Sequence, residues 1–411
     1  MKSLAFLLIS LLLAGCAGAP PAPPPPPGIF DDAAFAPPSE QVGAGELFAL
    51  SPEMRAYLDS SGFRAQVRAK GLEQGLVDAL YEKGELKLEY DAALTRNAAQ
   101  AFQARRGNCM SLVIMTAAFA RELGLNVTYQ SVKADETWRR SGDLYLASGH
   151  VNLSLAKPRV SNLRGYDTSE RTLTIDFLPP QDMAGYRTTP LEEDTIVAMY
   201  MNNRAIEALL QNQVDNAYWW ARAAVRQNPS FIIAYNTLGV IYQRHGDKQQ
   251  AERTFRLALE REPDNLALMQ NLAPLLAALG KNEESQALAR RVAAIEPNPP
   301  FHFFNLGMKA MEREDYQSAK ALFAREVRRA PYYDEFHFWL GMAWLRLGET
   351  AKAREQFALA LDTSTTRDGR TLYSAKLAHL CEVGRELPAS AGVERGVGSF
   401  PCGFPRGYTA D

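Results

Sequence analysis

Between residues 40 and 195 the chain has one cysteine, Cys109, and one histidine, His150. Cys109 stands in Arg105-Arg106-Gly107-Asn108-Cys109-Met110-Ser111-Leu112, which reads as a turn entering a helix. The helix is apolar through Val113, Ile114, Ala117, Ala118 and Leu123, with Gly124 placed to cap its C-terminus. A thiol in the first turn of a helix feels the positive end of the dipole and the unpaired backbone N–H groups. Both favour the thiolate, so such a cysteine ionises below the free value of about 8.5. The same N–H groups suit an oxyanion once sulfur has attacked a carbonyl.

A nucleophile of this kind needs a base and a group to orient it. His150 lies where Val151, Leu153 and Leu155 alternate with His150, Asn152 and Ser154, the period of a strand with the imidazole on its polar face. Asp176 lies in the short β-rich run Leu173-Thr174-Ile175-Asp176-Phe177-Leu178, closed by Pro179-Pro180. An antiparallel neighbour could set its carboxylate beside the imidazole. Cys109, His150 and Asp176 then form a nucleophile–base–orienter set. Each also has a plainer reading: a small buried hydrophobe, a satisfied strand polar group, and a turn residue. Gln103, expected on a helix from Thr95 to Arg105, is either an amide donor to the oxyanion or a surface glutamine.

Gly107-Asn108-Cys109-Met110-Ser111-Leu112, followed by Ala120-Arg121-Glu122-Leu123-Gly124-Leu125, resembles the core signature of the transglutaminase-like superfamily. The Gly149-His150 and Ile175-Asp176 segments fall at intervals similar to that family's, so the resemblance covers about residues 95 to 182. It implies a papain-like α+β fold and a Cys109–His150–Asp176 triad acting through an acyl-thioester. The chain departs from the pattern in two places. Val151-Asn152 follows the histidine where the family often has an aromatic residue, and Phe177-Leu178 follows the aspartate where a small residue or proline is common.

The chain opens with Lys2, an apolar run from Leu4 to Leu13, and Leu13-Ala14-Gly15-Cys16. Ten helical residues rise only ~15 Å, too short for a bilayer core of roughly 30 Å, so residues 1–15 read as a signal peptide. The box resembles that of bacterial lipoproteins, which implies cleavage before Cys16 and lipidation of its sulfur. Ala17 in the next position implies an outer-membrane destination, facing the periplasm. The Pro-rich stretch, continued loosely to Gln41, is expected to be a polyproline spacer, so residues 16–41 form a lipidated linker.

The second half repeats. Pro229, Pro263, Pro297 and Pro331 recur every 34 residues, the period of tetratricopeptide repeats. Leu238-Gly239, Tyr242, Ala251, Phe255 and Ala258 precede Pro263; Leu306-Gly307, Ala319 and Phe323 precede Pro331. Leu340-Gly341, Ala353, Phe357 and Ala360 form a further unit, and Ala205, Ala217, Ala221 and Ala224 a degenerate early one. Small residues let paired helices approach, aromatics fill the gaps, and proline ends each pair. About five stacked units leave a face that suits a protein or peptide partner.

Cys381 and Cys402 follow the last repeat, and in an exported protein they suit a disulfide. A capping helix is expected over Leu372 to Leu380. His245, His302, His337 and His379 have no metal-ligand spacing, and no phosphate-binding glycine loop occurs, so neither metal nor cofactor is expected. A formal net charge of −2 gives no electrostatic case for nucleic acid. The expected architecture is a transglutaminase-like α+β domain over residues 42–190, an all-α tetratricopeptide-repeat solenoid over 195–380, and a tail over 381–411. Two functions fit: a thiol enzyme acting on protein amide bonds by hydrolysis or acyl transfer, and a catalytically silent envelope scaffold.

Overall fold

The computed structural model describes residues 24–81, 88–91, 94–141, 144–157, 172–177, 187–298, 300–364 and 366–386. Contacts divide the chain into two units: Met1–Tyr90 with Leu94–Ile295, and Asp91–Ala93 with Glu296–Asp411. The division falls about a hundred residues beyond the boundary expected near residue 190. The reason is a shared core. Val151, Leu153 and Leu155 belong to the same buried cluster as Tyr235, Leu238, Leu268 and Leu272, so the first helical pairs fold with the α+β part.

The first unit begins with α1 (Pro52–Asp59), α2 (Ser61–Lys70) and α3 (Leu72–Tyr81). Ser51 and Ser60 cap the first two by accepting the N–H groups of Met54 and Phe63. Next come β1 (Glu89–Tyr90), α4 (Ala98–Ala104), β2 (Arg106–Gly107) and α5 (Cys109–Glu122). Helix α4 is shorter than the expected Thr95–Arg105, because Asn97 and Gln100 close a capping box at its start and Arg105 ends it in the left-handed region. Every residue of α5 from Met110 to Ala120 is buried, as befits a helix apolar on all sides. Its end is sealed at Gly124 (φ +73°), where the Leu125 N–H donates to the Ala120 carbonyl (2.8 Å) and the Gly124 N–H to Arg121 (2.9 Å).

A four-stranded sheet follows: β3 (Asn126–Ser141), β4 (Leu144–Ala156), β5 (Leu173–Ile175) and β6 (Arg187–Leu191), in the order β5-β4-β3-β6 with every pair antiparallel. Three helical pairs complete the unit: α6 (Glu193–Leu210) with α7 (Val214–Gln227), α8 (Ile232–His245) with α9 (Lys248–Arg261), and α10 (Leu266–Ala278) with α11 (Asn282–Ile295). Strand β4 packs against α5 and also against α8 and α10, the first helices of successive pairs. A face expected to receive a partner is thus covered, on these pairs, by the protein's own sheet.

The first two helical pairs are also covered by the chain's own N-terminal segment, which corrects the spacer expected to reach Gln41. From Pro27 onward the chain is a strap laid over α7 and α9. Phe35 is 5 % exposed, stacked on Tyr218 with ring centroids 3.9 Å apart, and it also meets His245 at 4.4 Å. Asp32 accepts from the Tyr218 hydroxyl (2.6 Å) and pairs with Arg222 (2.7 Å). The strap's backbone is satisfied by side chains of the helices. Tyr242 donates to the Ile29 carbonyl (2.9 Å) and Trp219 to that of Ala36 (2.7 Å), while Asp215 accepts the Ala36 N–H (3.0 Å). Glu40 closes it, accepting from Trp220 (2.7 Å) and Arg204 (2.9 Å).

The second unit holds α12 (His302–Glu312) with α13 (Tyr316–Arg329), α14 (Asp334–Arg346) with α15 (Thr350–Thr363), and α16 (Arg367–Glu386). Helix α16 is longer at both ends than the expected Leu372–Leu380. The repeat signature has a direct steric meaning here. A Cβ on Gly307 would lie 2.6 Å from the Phe323 ring and one on Gly341 2.7 Å from Phe357; in the first unit a Cβ on Gly239 would lie 2.6 Å from Phe255. Glycine in these three first helices lets the phenylalanine of the partner helix pack against bare backbone.

Candidate active site

Three elements bring Cys109, His150 and Asp176 together. Asn108 is the N-cap of α5 and Cys109 its first residue, half-buried and present as a free thiol. His150, Asn152 and Ser154 share one face of β4 and are all buried, at 6 %, 2 % and 5 % exposure. The alternation expected of this strand is present, yet its polar face looks into the protein. Strand β5 pairs with β4 through Leu153↔Ile175 and Leu155↔Leu173, which sets Asp176 opposite Asn152 and diagonal to His150. The Asp176 carboxylate divides between them: Oδ1 lies 2.7 Å from His150 Nε2, and Oδ2 accepts from Asn152 Nδ2 at 2.8 Å.

The electrostatics follow from these contacts. Burial by itself would push the Cys109 thiol up, but it is overcome by the hydrogen bond and positive charge of His150 and by the backbone N–H groups of Val151 and Met110. The thiol therefore ionises below its ordinary range. Burial likewise opposes the His150 imidazolium and is outweighed by the hydrogen bond to Asp176, then by the hydrogen bond and charge of Cys109, which raise it to about 9. With Nε2 committed to Asp176, Nδ1 is the nitrogen left for sulfur. Both shifts act in the direction of a thiolate beside an imidazolium, with the Asp176 carboxylate on the far nitrogen.

The start of α5 is held from outside the triad. Asn108 Oδ1 accepts from the Ser111 N–H (2.9 Å) and hydroxyl (2.8 Å), and its Nδ2 donates to Thr95 Oγ1 (2.7 Å). The Thr95 N–H in turn donates to Glu207 of α6 (2.6 Å), itself paired with Arg204 (3.0 Å). A helix of the first repeat pair thereby supports the N-cap of α5. Gly107 is required for close approach, since a Cβ there would lie 2.5 Å from that of Ser111.

Two residues of this site are given no role in it from sequence: Asn152, named only as a polar-face residue of the strand, and Glu207. Asn152 carries a legible signal, two residues from His150 on the same strand face. Glu207 carries none, because its contact joins segments 112 residues apart. Gln103 is exposed on α4. Among the other histidines, His337 is buried and bonded to Gln356 (2.9 Å) and the Pro331 carbonyl (2.7 Å), a repeat-core role. Cys16, Cys402 and the Cys381 side chain lie outside the described residues, and with them the lipidation and disulfide expectations. Among the described residues no cluster suits a metal ion, and no helix is long and apolar enough to cross a membrane.

Comparison with known proteins identifies the repeats. Residues 232–265 and 304–368 each match a model of the tetratricopeptide repeat. A similar curated protein is Superkiller protein 3 of Schizosaccharomyces pombe, 24 % identical over 166 residues, which are 39 % of this chain and 12 % of that one. The chain thus spans about an eighth of that relative's length. Similar solved structures include TTC0263, a thermophilic TPR protein of Thermus thermophilus (18 % identity, 44 % of this chain and 99 % of that one, TM-score 0.32). PilF of Pseudomonas aeruginosa is also similar (18 % identity, 47 % and 88 % covered, TM-score 0.30).

Proposed function

We propose that this protein binds other proteins or peptides through its tetratricopeptide repeats, and that its α+β part is a cysteine-dependent site acting on an amide carbonyl. The comparisons concern the repeats, and by themselves favour a binding scaffold without chemistry. One observation favours chemistry: a buried Asp176–His150 pair set against a thiol at a helix N-terminus. In this reading the Cys109 thiolate attacks the carbonyl and the C–N bond breaks as the His150 imidazolium protonates the leaving amine. The acyl-thioester is then released to water or a second amine, with His150 taking the proton back.

Partner binding is assigned to the second unit, because β4 covers the first helices α8 and α10. There α12 and α14 carry half-buried Met308, Trp339 and Met342 and an exposed Leu306. The deciding experiment is labelling of the intact protein with an iodoacetamide or peptidyl electrophile. Rapid labelling of Cys109 that collapses in His150→Ala supports the thiol enzyme. Slow labelling, equal in both proteins, leaves the scaffold alone.

Anchoring through a lipid on Cys16 is inferred from the Leu13-Ala14-Gly15-Cys16 box. In a bacterial host Cys16→Ser is expected to shift the protein from the membrane to the soluble fraction. Mass spectrometry showing an unmodified Cys16 in the mature protein defeats the idea.

A further inference from the structure

Asn152 is the one side chain of the β4 polar face whose cost the fold does not explain. It is 2 % exposed, its Nδ2 donates to Asp176 Oδ2 at 2.8 Å, and its Oδ1 is buried with no hydrogen-bond partner among the described residues. The orientation is dictated by chemistry: a carboxylate can only accept, so the amide nitrogen must face it. The oxygen is then left stranded in the interior, where an unpaired polar atom is unfavourable. A leucine is of similar size and would bring no such atom. Ser154, two residues on, shows the contrast, with a hydroxyl 2.8 Å from Thr174 Oγ1 and 3.2 Å from Gln130 Nε2.

We propose that Asn152 is a positioning residue of the thiol site, present to fix the rotation of the Asp176 carboxylate. A carboxylate held only at Oδ1 is free to turn about its side-chain torsion and to lengthen its contact with His150. Held at both oxygens, it is clamped with Oδ1 on Nε2, the contact that contributes most to keeping the imidazole charged. The proposal rests on the thiol-site reading above, and it supplies a role for the residue standing where the resembling family often has an aromatic.

Asn152→Leu in the full chain tests it, with Asn152→Ala, which only deletes atoms, as the companion should leucine not fold. Two quantities are read in wild type and variant: the apparent pKa of Cys109 alkylation and the melting temperature. The expected result is a wild-type pKa well below the free-thiol value, raised in the variant by about one unit. That corresponds to about tenfold slower alkylation at pH values below both. Asn152→Leu should keep its melting temperature within about 3 °C of wild type, because the lost bond is offset by removal of the stranded oxygen. A lowered melting temperature with an unmoved thiol pKa makes Asn152 an ordinary structural residue and overturns the proposal. A wild-type thiol titrating at the free value overturns the thiol site itself, and the proposal with it.

Discussion

Alkylation of Cys109 is expected to run at a thiolate rate well into the acid range, and to lose that property when His150 is replaced by alanine. The sign follows from the two partners. The His150 value is raised to about 9 in the folded protein, so its stabilising contribution is complete below about 6.5 and is lost as the pH climbs through 9. The Cys109 value is lowered, so its contribution is complete above the ordinary thiol range and is lost as the pH falls through the lowered value. An ion pair is therefore expected in the window between, and the apparent constants would belong to the pair. In His150→Ala burial acts on the thiol against only the backbone N–H groups, so its apparent pKa should move up by at least about two units, a hundredfold loss of rate at pH values below both. Asp176→Ala is expected to be nearly as damaging, because its hydrogen bond is the largest of the influences raising His150. Alkylation kinetics against pH for the three proteins decide the matter. Superimposable profiles would falsify the ion pair.

Phe35→Ala is expected to loosen the N-terminal strap and destabilise the first unit by about 3 kcal/mol, within the range for truncating a buried phenylalanine. Phe35 is buried and stacked on Tyr218, and its neighbours Asp32 and Glu40 pair with Arg222 and Arg204. The local readout is amide exchange. The N–H groups of Asp31, Ala36 and Ser39 are bonded to Tyr242 (3.0 Å), Asp215 (3.0 Å) and Asn216 (2.9 Å), and should become fast together in the variant. A spacer would show fast exchange at these positions in the wild type already. That result would remove the strap from the fold.

Much of this molecule was legible in its residues. The cysteine at a helix start, the strand period around His150 and the 34-residue repeat all express local rules: dipole and capping, alternation across a sheet, and the close approach that Gly239, Gly307 and Gly341 allow. These depend on neighbours within one or two turns, so they survive in the sequence as spacing. Tertiary structure decided the rest. Whether Asp176 meets His150 depends on the register of β5 against β4, and a shift of one residue would turn its carboxylate to the opposite face. The polar face of β4 looks inward, and the helical pairs to Ile295 fold with the sheet, because apolar surfaces distant in sequence found each other. The strap carries no periodic signal at all. Its proline-rich approach reads as a spacer, and only the side chains of α7 to α9, some 180 residues away, supply the partners for its backbone and the stack for Phe35. Local chemistry is written where it acts, whereas long-range pairing is a property of two surfaces and appears in neither segment alone.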